Sequence, residues 1–359
     1  MSERQVYIIA EAGVNHNGSL DLAKQLITEA AKAGANAIKF QTFNSSELVS
    51  RNAEKAEYQK KTTHSEESQL QMLKKLELSY NDHIELFNYA KKEGIEFLST
   101  PFDIESLKFL TGQLGLRTLK ISSGDITNLP LLYEAALTDA NIILSSGIST
   151  LGTLEEALEA IAFGYTVKNK IPSIKEMQQA YFSKEGQAAI KAKVTLLHCT
   201  TEYPTQFNDV HLNKMLTIQQ AFGLEVGYSD HTIGSEISVA AVAMGAKIIE
   251  KHFTLNKNME GPDHKASIEP DELAEMIRKI RNVEQALGLS IKIPAFSELK
   301  NMEAARKSVV AAKAIVKGEV FSEDNLTVKR PGNGLPPSVY WSLLGRCSDQ
   351  SYEPDDLIK

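Results

Sequence analysis

Along the first 288 residues, short β-branched apolar segments alternate with stretches whose apolar residues recur at helical spacing. The apolar segments predict eight strands, at Val6–Ala12, Asn36–Thr42, Glu96–Pro101, Thr118–Ser123, Asn141–Gly147, Val194–Thr200, Glu225–Thr232 and Lys247–Thr254. The helical spacing predicts helices at Leu20–Ala33, Asp82–Glu93, Ile104–Leu114, Leu154–Ala162, Glu236–Met244 and Asp271–Leu287. Strict alternation of strand and helix favours a parallel sheet, and eight repeats favour a (β/α)8 barrel, the TIM-barrel fold.

Glycine residues mark the ends of several predicted helices. Gly34, Gly94, Gly115 and Gly245 each stand just before a predicted strand, where the connecting loop favours a glycine that caps the helix. An open doubly wound sheet is the structural alternative to a barrel, and it predicts a glycine-rich phosphate loop after the first strand. Residues 10–18 read AEAGVNHNG and do not match the Gly-x-Gly-x-x-Gly pattern, so the barrel is favoured.

Two long segments interrupt the alternation, and the composition changes towards the C-terminus. Residues 44–79 and 165–193 are insertions that could serve as an active-site lid, a dimer contact or decoration. We expect the barrel to span residues 1–288, a linker with little periodicity to span 289–301 and a small β-rich module to span 302–359. A module of this size has a small core, so we expect it to pack against the barrel or another subunit.

Composition and charge exclude several classes of protein. The chain has 359 residues, a formal net charge of −7 and no long basic run, so we expect no nucleic-acid partner. The first residues lack a basic start followed by an apolar run, and no segment is apolar for long enough to span a bilayer, so neither a signal peptide nor a membrane span is predicted. Cys199 and Cys347 lie far apart in the sequence, which favours free thiols and a reducing cytoplasm.

Two neighbouring predicted strands end in histidine, at His231 and His252. About twenty residues and one helix separate them, the length of a parallel βαβ crossover, which places both imidazoles at the same edge of the sheet. Asp230, Asp263 and His264 lie nearby in the sequence. Two imidazoles with open positions favour a Mn²⁺-like or Co²⁺-like ion that acts as a Lewis acid, because structural Zn²⁺ takes four protein ligands.

The other predicted strand ends are also polar or ionisable, and barrel enzymes keep their catalytic groups there. Lys39 and Lys120 lie on alternate strands, and two ammonium groups beside hydroxyl groups suit a carboxylate and a phosphate. For either lysine alone, the alternative is a buried ion pair with Glu11 or Asp125. The hydroxyl side chains predicted beside these lysines are Thr100, Ser123 and Ser229.

Acidic side chains and a third histidine complete this predicted set. Glu11 and Asp125 are candidates for acid–base chemistry or for binding hydroxyl groups. Glu250 stands two residues before His252, so it shares a strand face with that histidine and is a candidate to orient a metal ligand. His198 is a candidate third ligand or a core residue, and we favour the core.

Nine motifs resemble those of the sialic acid synthases. In chain order they are IAEAGVNHNG at 9–18, IKFQT at 38–42, STPF at 99–102, KISSGD at 120–125, LHCT at 197–200, YPT at 203–205, GYSDHT at 227–232, EKHFT at 250–254 and GPDH at 261–264. VKRPGNG at 328–334 resembles a turn of that family's C-terminal antifreeze-like (SAF) domain. The resemblance implies a TIM barrel followed by a small β-rich antifreeze-like domain.

The resemblance also implies a reaction and a cofactor. Phosphoenolpyruvate condenses with an N-acylated mannose-type sugar, which gives a nine-carbon 2-keto acid and releases phosphate. A divalent ion on His231 and His252 is implied, with Mn²⁺ expected and Mg²⁺ or Co²⁺ as alternatives. C3 of phosphoenolpyruvate attacks the sugar aldehyde, water adds at C2, and phosphate leaves by C–O cleavage.

The family's site residues match positions of this chain one by one. Glu11, Lys39 and Asp125 are the catalytic candidates. The positions that match the phosphoenolpyruvate site are Lys39, Thr100, Lys120, Ser123, Thr201 and Ser229. The positions that match the sugar site are Glu11, Gln41, Tyr203 and Asp263. Family enzymes are domain-swapped homodimers, and the arginine matching Arg330 reaches the other subunit's site to hold the N-acetyl group.

The sequence leaves the acceptor sugar open. N-acetylmannosamine, which gives N-acetylneuraminate, is the main expectation, and 2,4-diacetamido-2,4,6-trideoxymannose, which gives N,N'-diacetyllegionaminate, is the alternative. Asp125 stands where many bacterial members have Glu, and Thr201 stands where many have Asn. A more distant alternative is another metal-dependent barrel aldolase or a deoxy-heptulosonate-type synthase, which would not need the C-terminal module.

Overall fold

The structure of the chain is a computed structural model that describes residues 5–55, 59–60, 63, 67–168 and 170–359. Part of the predicted insertion at 44–79 therefore lies outside the described residues. The chain divides into two compact units, Met1–Gly288 and Leu289–Lys359.

Eight parallel strands form a nearly closed barrel in the first unit. They are β1 (Tyr7–Gly13), β2 (Ala37–Thr42), β3 (Glu96–Pro101), β4 (Thr118–Ile121), β5 (Asn141–Ser145), β6 (Val194–Cys199), β7 (Glu225–Asp230) and β8 (Ile248–His252). Their order is β3-β2-β1-β8-β7-β6-β5-β4, so the first and last strands pair and the sheet curls round. The eight predicted strands are confirmed, and the fold is the predicted TIM barrel.

Helices lie between the strands, as the pattern predicted. The described helices include α1 (Leu20–Ala33), α2 (Ser45–Leu48), α3 (Gln69–Leu76), α4 (Tyr80–Glu93), α5 (Ile104–Lys108), α6 (Leu129–Leu137), α7 (Leu151–Thr166), α8 (Ile174–Phe182), α9 (Lys184–Lys193), α10 (Phe207–Val210), α11 (Asn213–Phe222), α12 (Glu236–Ala243) and α13 (Pro270–Leu287). A π-helix, Phe109–Gln113, continues α5 where one longer helix was predicted. Within the described residues, no helix is long and apolar enough to cross a bilayer.

Local interactions fix where these helices begin and end. At the start of α4, Ser79 Oγ accepts from the backbone N–H of Asp82 at 3.2 Å, and Asp82 Oδ2 accepts from the backbone N–H of Ser79 at 2.9 Å. This reciprocal capping box satisfies two donors that the first turn leaves free. Gly94 ends α4 with φ of 75° and Gly34 ends α1 with φ of 87°, the left-handed conformation that glycine adopts without strain.

The barrel interior is layered along its axis. An apolar layer near the start of the strands consists of Ile9, Ala37, Leu98, Ile143, Leu197 and Ile248. Side chains two positions apart lie on the same face of a strand. The residues two positions further along are all polar, and they are Glu11, Lys39, Thr100, Ser145, Cys199 and Glu250. A polar layer therefore lies between the apolar layer and the C-terminal ends of the strands.

The second unit is small and β-rich, as predicted. Strand β9 (Ser308–Ala311) pairs antiparallel with β10 (Leu326–Lys329), and three isolated bridges extend the pairing. Its core consists of Val309, Ala311, Ile315, Phe321, Leu326, Tyr352 and Ile358. A helix, α14 (Phe296–Ala305), begins inside the segment 289–301, for which we expected little periodicity. None of its residues is buried within the single chain, which explains why its sequence lacks a core-facing stripe.

Candidate active site

Successive side chains of a strand point to opposite faces of the sheet. The polar residues at the C-terminal end of the barrel therefore form two sets, one inside the barrel and one outside it. Ser229 Oγ donates to Glu250 Oε1 at 2.8 Å inside the barrel. Asp230 and Lys251, one residue further on each strand, point away from the interior and form a fully buried ion pair at 3.0 Å. Asp230 also accepts from Thr232 and Ser238. The sequence grouped Asp230 with the histidines, but in the structure it is a partner of Lys251.

A network of two lysines and two carboxylates occupies the barrel interior. Lys39 Nζ lies 2.6 Å from Glu11 Oε2, 3.7 Å from Glu250 Oε2 and 3.1 Å from Thr100 Oγ1. Lys120 Nζ lies 3.6 Å from Glu250 Oε1. The ion pair considered for Lys39, with Glu11, is present in the structure. The pair considered for Lys120, with Asp125, is not, because Glu250 takes that place.

Burial and mutual charge set the protonation of this network. Burial raises the pKa of Glu11 above its usual range, against the opposing effect of Lys39. Burial also favours the neutral form of Glu250, but the ammonium groups of Lys120 and Lys39 outweigh it and lower the pKa of Glu250. Glu250 is therefore the fixed negative charge of the network, and Glu11 is the carboxyl group suited to exchanging a proton near neutral pH.

Hydroxyl and thiol groups gather beside the lysines at the ends of β4, β5 and β6. Ser123 Oγ lies 3.0 Å from Cys199 Sγ and accepts from the backbone N–H of Gly147 at 2.9 Å. A Cβ atom at Gly147 would collide with Thr201 Oγ1 and lie 2.8 Å from Ser123 Oγ. The lack of a side chain at Gly147 therefore lets the ends of three strands bring these groups together, and the resulting cluster of hydroxyl, thiol and backbone N–H groups suits an anion.

The two strand-end histidines meet at the barrel mouth. The ring centroids of His231 and His252 are 5.5 Å apart. His231 Nδ1 lies 2.6 Å from the carbonyl oxygen of Thr200, so Nδ1 carries the hydrogen and Nε2, which lies 3.4 Å from Ser229 Oγ, keeps its lone pair. His252 Nδ1 is buried without a hydrogen-bond partner among the described residues. Burial lowers the pKa of His231 to about 4 and that of His252 well below its usual value, so both rings are neutral at neutral pH.

This pair fits a divalent ion with open coordination positions. Both rings are neutral, one ligating nitrogen is oriented by a backbone carbonyl, and another ring nitrogen is buried and unpaired. The described part of the chain contains no group of three or more His, Cys, Asp or Glu side chains arranged to hold a metal. An ion at this position would therefore take only two ligands from His231 and His252 and the rest from water or substrate.

Predicted sugar-site residues surround the histidine pair. The Tyr203 ring lies 4.2 Å from the His231 ring and 5.4 Å from the His252 ring. Gly13 has φ of 52°, and a Cβ atom there would lie 3.2 Å from Glu11 Oε1 and 3.3 Å from Gln41 Nε2. The absence of a side chain at this position leaves room between the carboxyl group, the amide and the His252 imidazole.

Three more predicted residues have their own surroundings. Asp125 accepts from Ser122 Oγ at 3.1 Å and from Asn128 Nδ2 at 3.3 Å, and burial raises its pKa. Asp263 is buried in the loop after β8, and burial alone raises its pKa to about 6. Arg330 is exposed in the second unit, where its Nε donates to the carbonyl oxygen of a residue in α14 at 3.1 Å.

The structure also decides between roles left open by the sequence. His198 is a core residue, because its Nε2 lies 2.7 Å from the carbonyl oxygen of Val210 and its ring packs on Tyr228. Glu250 lies at the centre of the lysine network, although its spacing from His252 indicated only a supporting role for the metal ligands. Cys199 was not predicted as a site residue, and its place in a strand-end motif was the only available signal.

The chain is similar to known proteins in both of its units. The chain matches the NeuB family over residues 26–292 and the SAF domain over residues 306–359. It is 51% identical over 356 residues to an N,N'-diacetyllegionaminic acid synthase of Campylobacter jejuni subsp. jejuni serotype O:2, with 99% of each chain covered. It is 41% identical over 344 residues to an N,N'-diacetyllegionaminic acid synthase of Legionella pneumophila subsp. pneumophila, with 96% of this chain and 90% of the relative covered.

A solved structure is similar over most of the chain. It is the N-acetylneuraminic acid (sialic acid) synthetase from Leptospira borgpetersenii serovar Hardjo-bovis in complex with citrate, which is 34% identical to this chain with a TM-score of 0.69. The match covers 84% of this chain and 91% of that one. The chain therefore belongs to the NeuB family, which is the sialic acid synthase family that its strand-end motifs predicted.

Proposed function

We propose that this enzyme condenses phosphoenolpyruvate with an N-acylated mannose-type sugar and water to give a nine-carbon 2-keto sugar acid and phosphate. One observation carries the proposal above all. Lys39 and Lys120 are both buried in the barrel, both within 3.7 Å of Glu250, and next to the neutral histidine pair. Two buried ammonium groups suit a small ligand with two anionic groups, and two neutral imidazoles suit an ion that activates a carbonyl.

The lysine side of the site would bind phosphoenolpyruvate. Lys39 and Lys120 donate to its carboxylate and phosphate, and the Thr100 and Ser229 hydroxyl groups lie beside them. Ser123, with Thr201 next to it, belongs to the polar cluster suited to the phosphate. Because these groups are buried in low dielectric surroundings, each ionic hydrogen bond is stronger than it would be in water.

The histidine side would bind the open-chain sugar. Mn²⁺, or Mg²⁺ or Co²⁺ in its place, would be held by His231 and His252 and would supply Lewis acidity to the sugar aldehyde. Tyr203 packs against both imidazoles and limits how the sugar can lie. Glu11 and Gln41 face the gap above Gly13 and orient hydroxyl groups.

The proton-transfer roles of the acidic residues follow from the bonds that form and break in the reaction. A carbon–carbon bond forms between C3 of phosphoenolpyruvate and C1 of the sugar, water adds at C2, and the C–O bond to phosphate breaks. Glu11, whose pKa burial raises, is placed to exchange the proton of the new hydroxyl group. Asp125 is close enough to Lys120 for that ammonium group to act on its pKa, which burial raises, and this suits Asp125 to handle the proton of the attacking water.

For the acceptor sugar, the alternative named from the sequence is now better supported than N-acetylmannosamine. The two relatives at 51% and 41% identity are both N,N'-diacetyllegionaminic acid synthases. We therefore propose 2,4-diacetamido-2,4,6-trideoxymannose as the acceptor and N,N'-diacetyllegionaminate as the product.

We also propose that the enzyme works as a domain-swapped homodimer. Between the barrel and β9, apolar side chains are uncovered in the single chain, with Leu289 81%, Ile291 67%, Ile293 62% and Phe296 92% exposed. A contiguous run of exposed apolar side chains marks an interaction surface. A second copy that covers these apolar side chains and supplies its Arg330 to the sugar site would account for the exposure of the apolar side chains and for the exposure of Arg330.

The test is phosphate release from phosphoenolpyruvate with Mn²⁺ and four acceptors: 2,4-diacetamido-2,4,6-trideoxymannose, N-acetylmannosamine, mannose and erythrose 4-phosphate. We expect turnover with the first sugar at a kcat/KM well above that with the second. Turnover only with erythrose 4-phosphate would move the chain to the deoxy-heptulosonate-type synthases and overturn the proposal.

A further inference from the structure

We infer that a hydrogen-bonded clamp made of Asn15, Asn17 and His264 positions Asp263 for the acceptor sugar. The inference rests on the proposed function, in which Asp263 binds that sugar. The clamp joins the loop after β1 to the loop after β8 (residues 253–267, here the β8 loop), at the C-terminal end of the barrel. These residues do not touch the lysine network, so they are positioning residues and not catalytic ones.

Asn15 forms the inner part of the clamp. It is 2% exposed, and its Nδ2 donates to the carbonyl oxygen of Phe253 and to Ser267 Oγ, both at 2.9 Å. Ser267 Oγ in turn donates to the backbone carbonyl oxygen of Asp263 at 2.7 Å. One side chain therefore holds both ends of the β8 loop and, through Ser267, the backbone of Asp263 itself.

Asn17 and His264 form the outer part of the clamp. Asn17 Oδ1 lies 3.2 Å from His264 Nε2, and Asn17 Nδ2 donates to the carbonyl oxygen of Glu260 at 2.8 Å. The other ring nitrogen of His264 lies 2.7 Å from Thr254 Oγ1. A neutral ring satisfies both contacts when Nε2 donates to the amide oxygen and Nδ1 accepts from the hydroxyl group. His264 is adjacent to Asp263, so fastening its ring fixes the neighbouring backbone.

Gly261 allows the loop to come this close. A Cβ atom at this position would lie 2.6 Å from His264 Cδ2 and 2.8 Å from Asn17 Oδ1. Real Cβ contacts are not this short, so any side chain would push the loop off the clamp. These contacts explain the GPDH motif at 261–264 in physical terms. Gly261 permits the close approach, and the ring of His264 holds the loop in place. Asp263 lies between these two residues in the chain.

Asp263 shows why such a clamp is needed. The residue is 6% exposed, and within the described part of the chain its carboxylate has no hydrogen-bond partner. A buried carboxylate without a partner is costly, and a loop free to move would turn it towards water. The clamp prevents this and keeps an acceptor ready for a hydroxyl group of a ligand. An amino-sugar supplies such hydroxyl groups, whereas phosphoenolpyruvate, which has no alcohol hydroxyl group and carries a negative carboxylate and phosphate, would be repelled.

The experiment compares Asn17→Ala and Gly261→Ala with Asn36→Ala. Asn36 is a matched control, because it is also half-buried and its Oδ1 accepts from the backbone N–H of Ile8 at 2.8 Å and from Arg281 at 3.3 Å. It lies at the opposite end of the barrel, at the start of β2. Each variant is assayed by phosphate release to give separate KM values for the sugar and for phosphoenolpyruvate, and thermal unfolding is measured in parallel.

We expect Asn17→Ala and Gly261→Ala to raise the KM for the sugar about 10-fold or more, the range in which outer-shell partners of a site act. The KM for phosphoenolpyruvate should stay within about two-fold of wild type, because no clamp residue contacts Lys39 or Lys120. Asn36→Ala should lower the unfolding temperature and leave both KM values near those of wild type.

Two results separate failure of the clamp from failure of the proposed function. If wild type turns over but Asn17→Ala changes both KM values equally, or behaves as Asn36→Ala does, the clamp is only structural and the inference is overturned. If wild type releases no phosphate with any amino-sugar, the proposed function fails first and the inference is overturned with it.

Discussion

Lys120 and Glu250 form a buried ion pair, in which the ammonium nitrogen lies 3.6 Å from Oε1 of the carboxylate. Glu250 also lies 3.7 Å from the ammonium nitrogen of Lys39 and accepts a hydrogen bond from Ser229. Before substrate arrives, this carboxylate is therefore a counter-charge that the two buried cations share, and Glu11 is the closer partner of Lys39. Phosphoenolpyruvate would bring its own negative charges to the same two cations.

Replacing Glu250 should destabilise the free enzyme and make its stability depend on the ligand. Glu250→Ala leaves Lys120 buried without its counter-ion, and breaking a buried pair in this way costs about 3 kcal/mol. Saturating phosphoenolpyruvate should restore part of that loss, since it supplies the missing charge. Urea unfolding with and without phosphoenolpyruvate measures both effects. Glu85→Ala, which breaks the exposed pair with Lys24, is the control and should change little. An unchanged unfolding midpoint for Glu250→Ala would refute the prediction.

Removal of metal should abolish phosphate release, and His252 should be required for metal binding. Chelator-treated enzyme should lose activity and recover it with Mn²⁺. His252→Ala should weaken Mn²⁺ binding at least 10-fold in a calorimetric titration, because one of two protein ligands is lost. The control is His198→Ala, which removes a core histidine bonded to the carbonyl of Val210 and should reduce stability without weakening Mn²⁺ binding. Full activity of the chelator-treated enzyme would contradict the metal assignment.

Arg330 should affect the sugar and not phosphoenolpyruvate. Arg330→Ala should raise the KM for the sugar about 10-fold or more, because a lost hydrogen bond from a charged group is worth about 1.5–3 kcal/mol. Lys329→Ala removes the neighbouring basic side chain, which pairs with Asp355, and should leave both KM values unchanged. Steady-state phosphate release gives the two constants. Equal increases in both KM values for Arg330→Ala would show that this arginine does not hold the sugar.

Acid should destabilise the barrel through His16. This imidazole is buried, its Nδ1 accepts from the backbone N–H of Gly18 at 3.0 Å, and burial lowers its pKa to about 3. In the unfolded chain its pKa is near 6.5, so below that value the unfolded state binds more protons than the folded state. The stabilising contribution is therefore full above pH 6.5 and decreases as the pH falls towards 3, by about 1.4 kcal/mol per pH unit.

His16→Asn tests this pH dependence, because the amide oxygen can still accept a hydrogen bond but does not titrate. The variant should lose less stability than wild type between pH 6.5 and 5, as measured by urea unfolding at several pH values. Parallel curves for the two proteins would show that another group causes the acid sensitivity.

Much of the fold followed from local sequence. The strands were found because each is a short β-branched run, and the helix ends at Gly34 and Gly94 were found because a left-handed residue there favours glycine. Helix α10 was missed, since it has only four residues. The helix Phe296–Ala305 was missed because none of its residues is buried in the single chain.

The sequence by itself determined which residues stand at the strand ends, because a parallel barrel gathers those ends whatever the loops do. The tertiary structure alone decided the pairings: Glu250 with Lys120, Asp230 with Lys251, and Ser123 with Cys199. These contacts depend on strand register and on the closure of β1 against β8, which bring together residues far apart in the chain. Ion pairs and hydrogen bonds change with differences of about 1 Å, and no periodicity along the sequence encodes that distance.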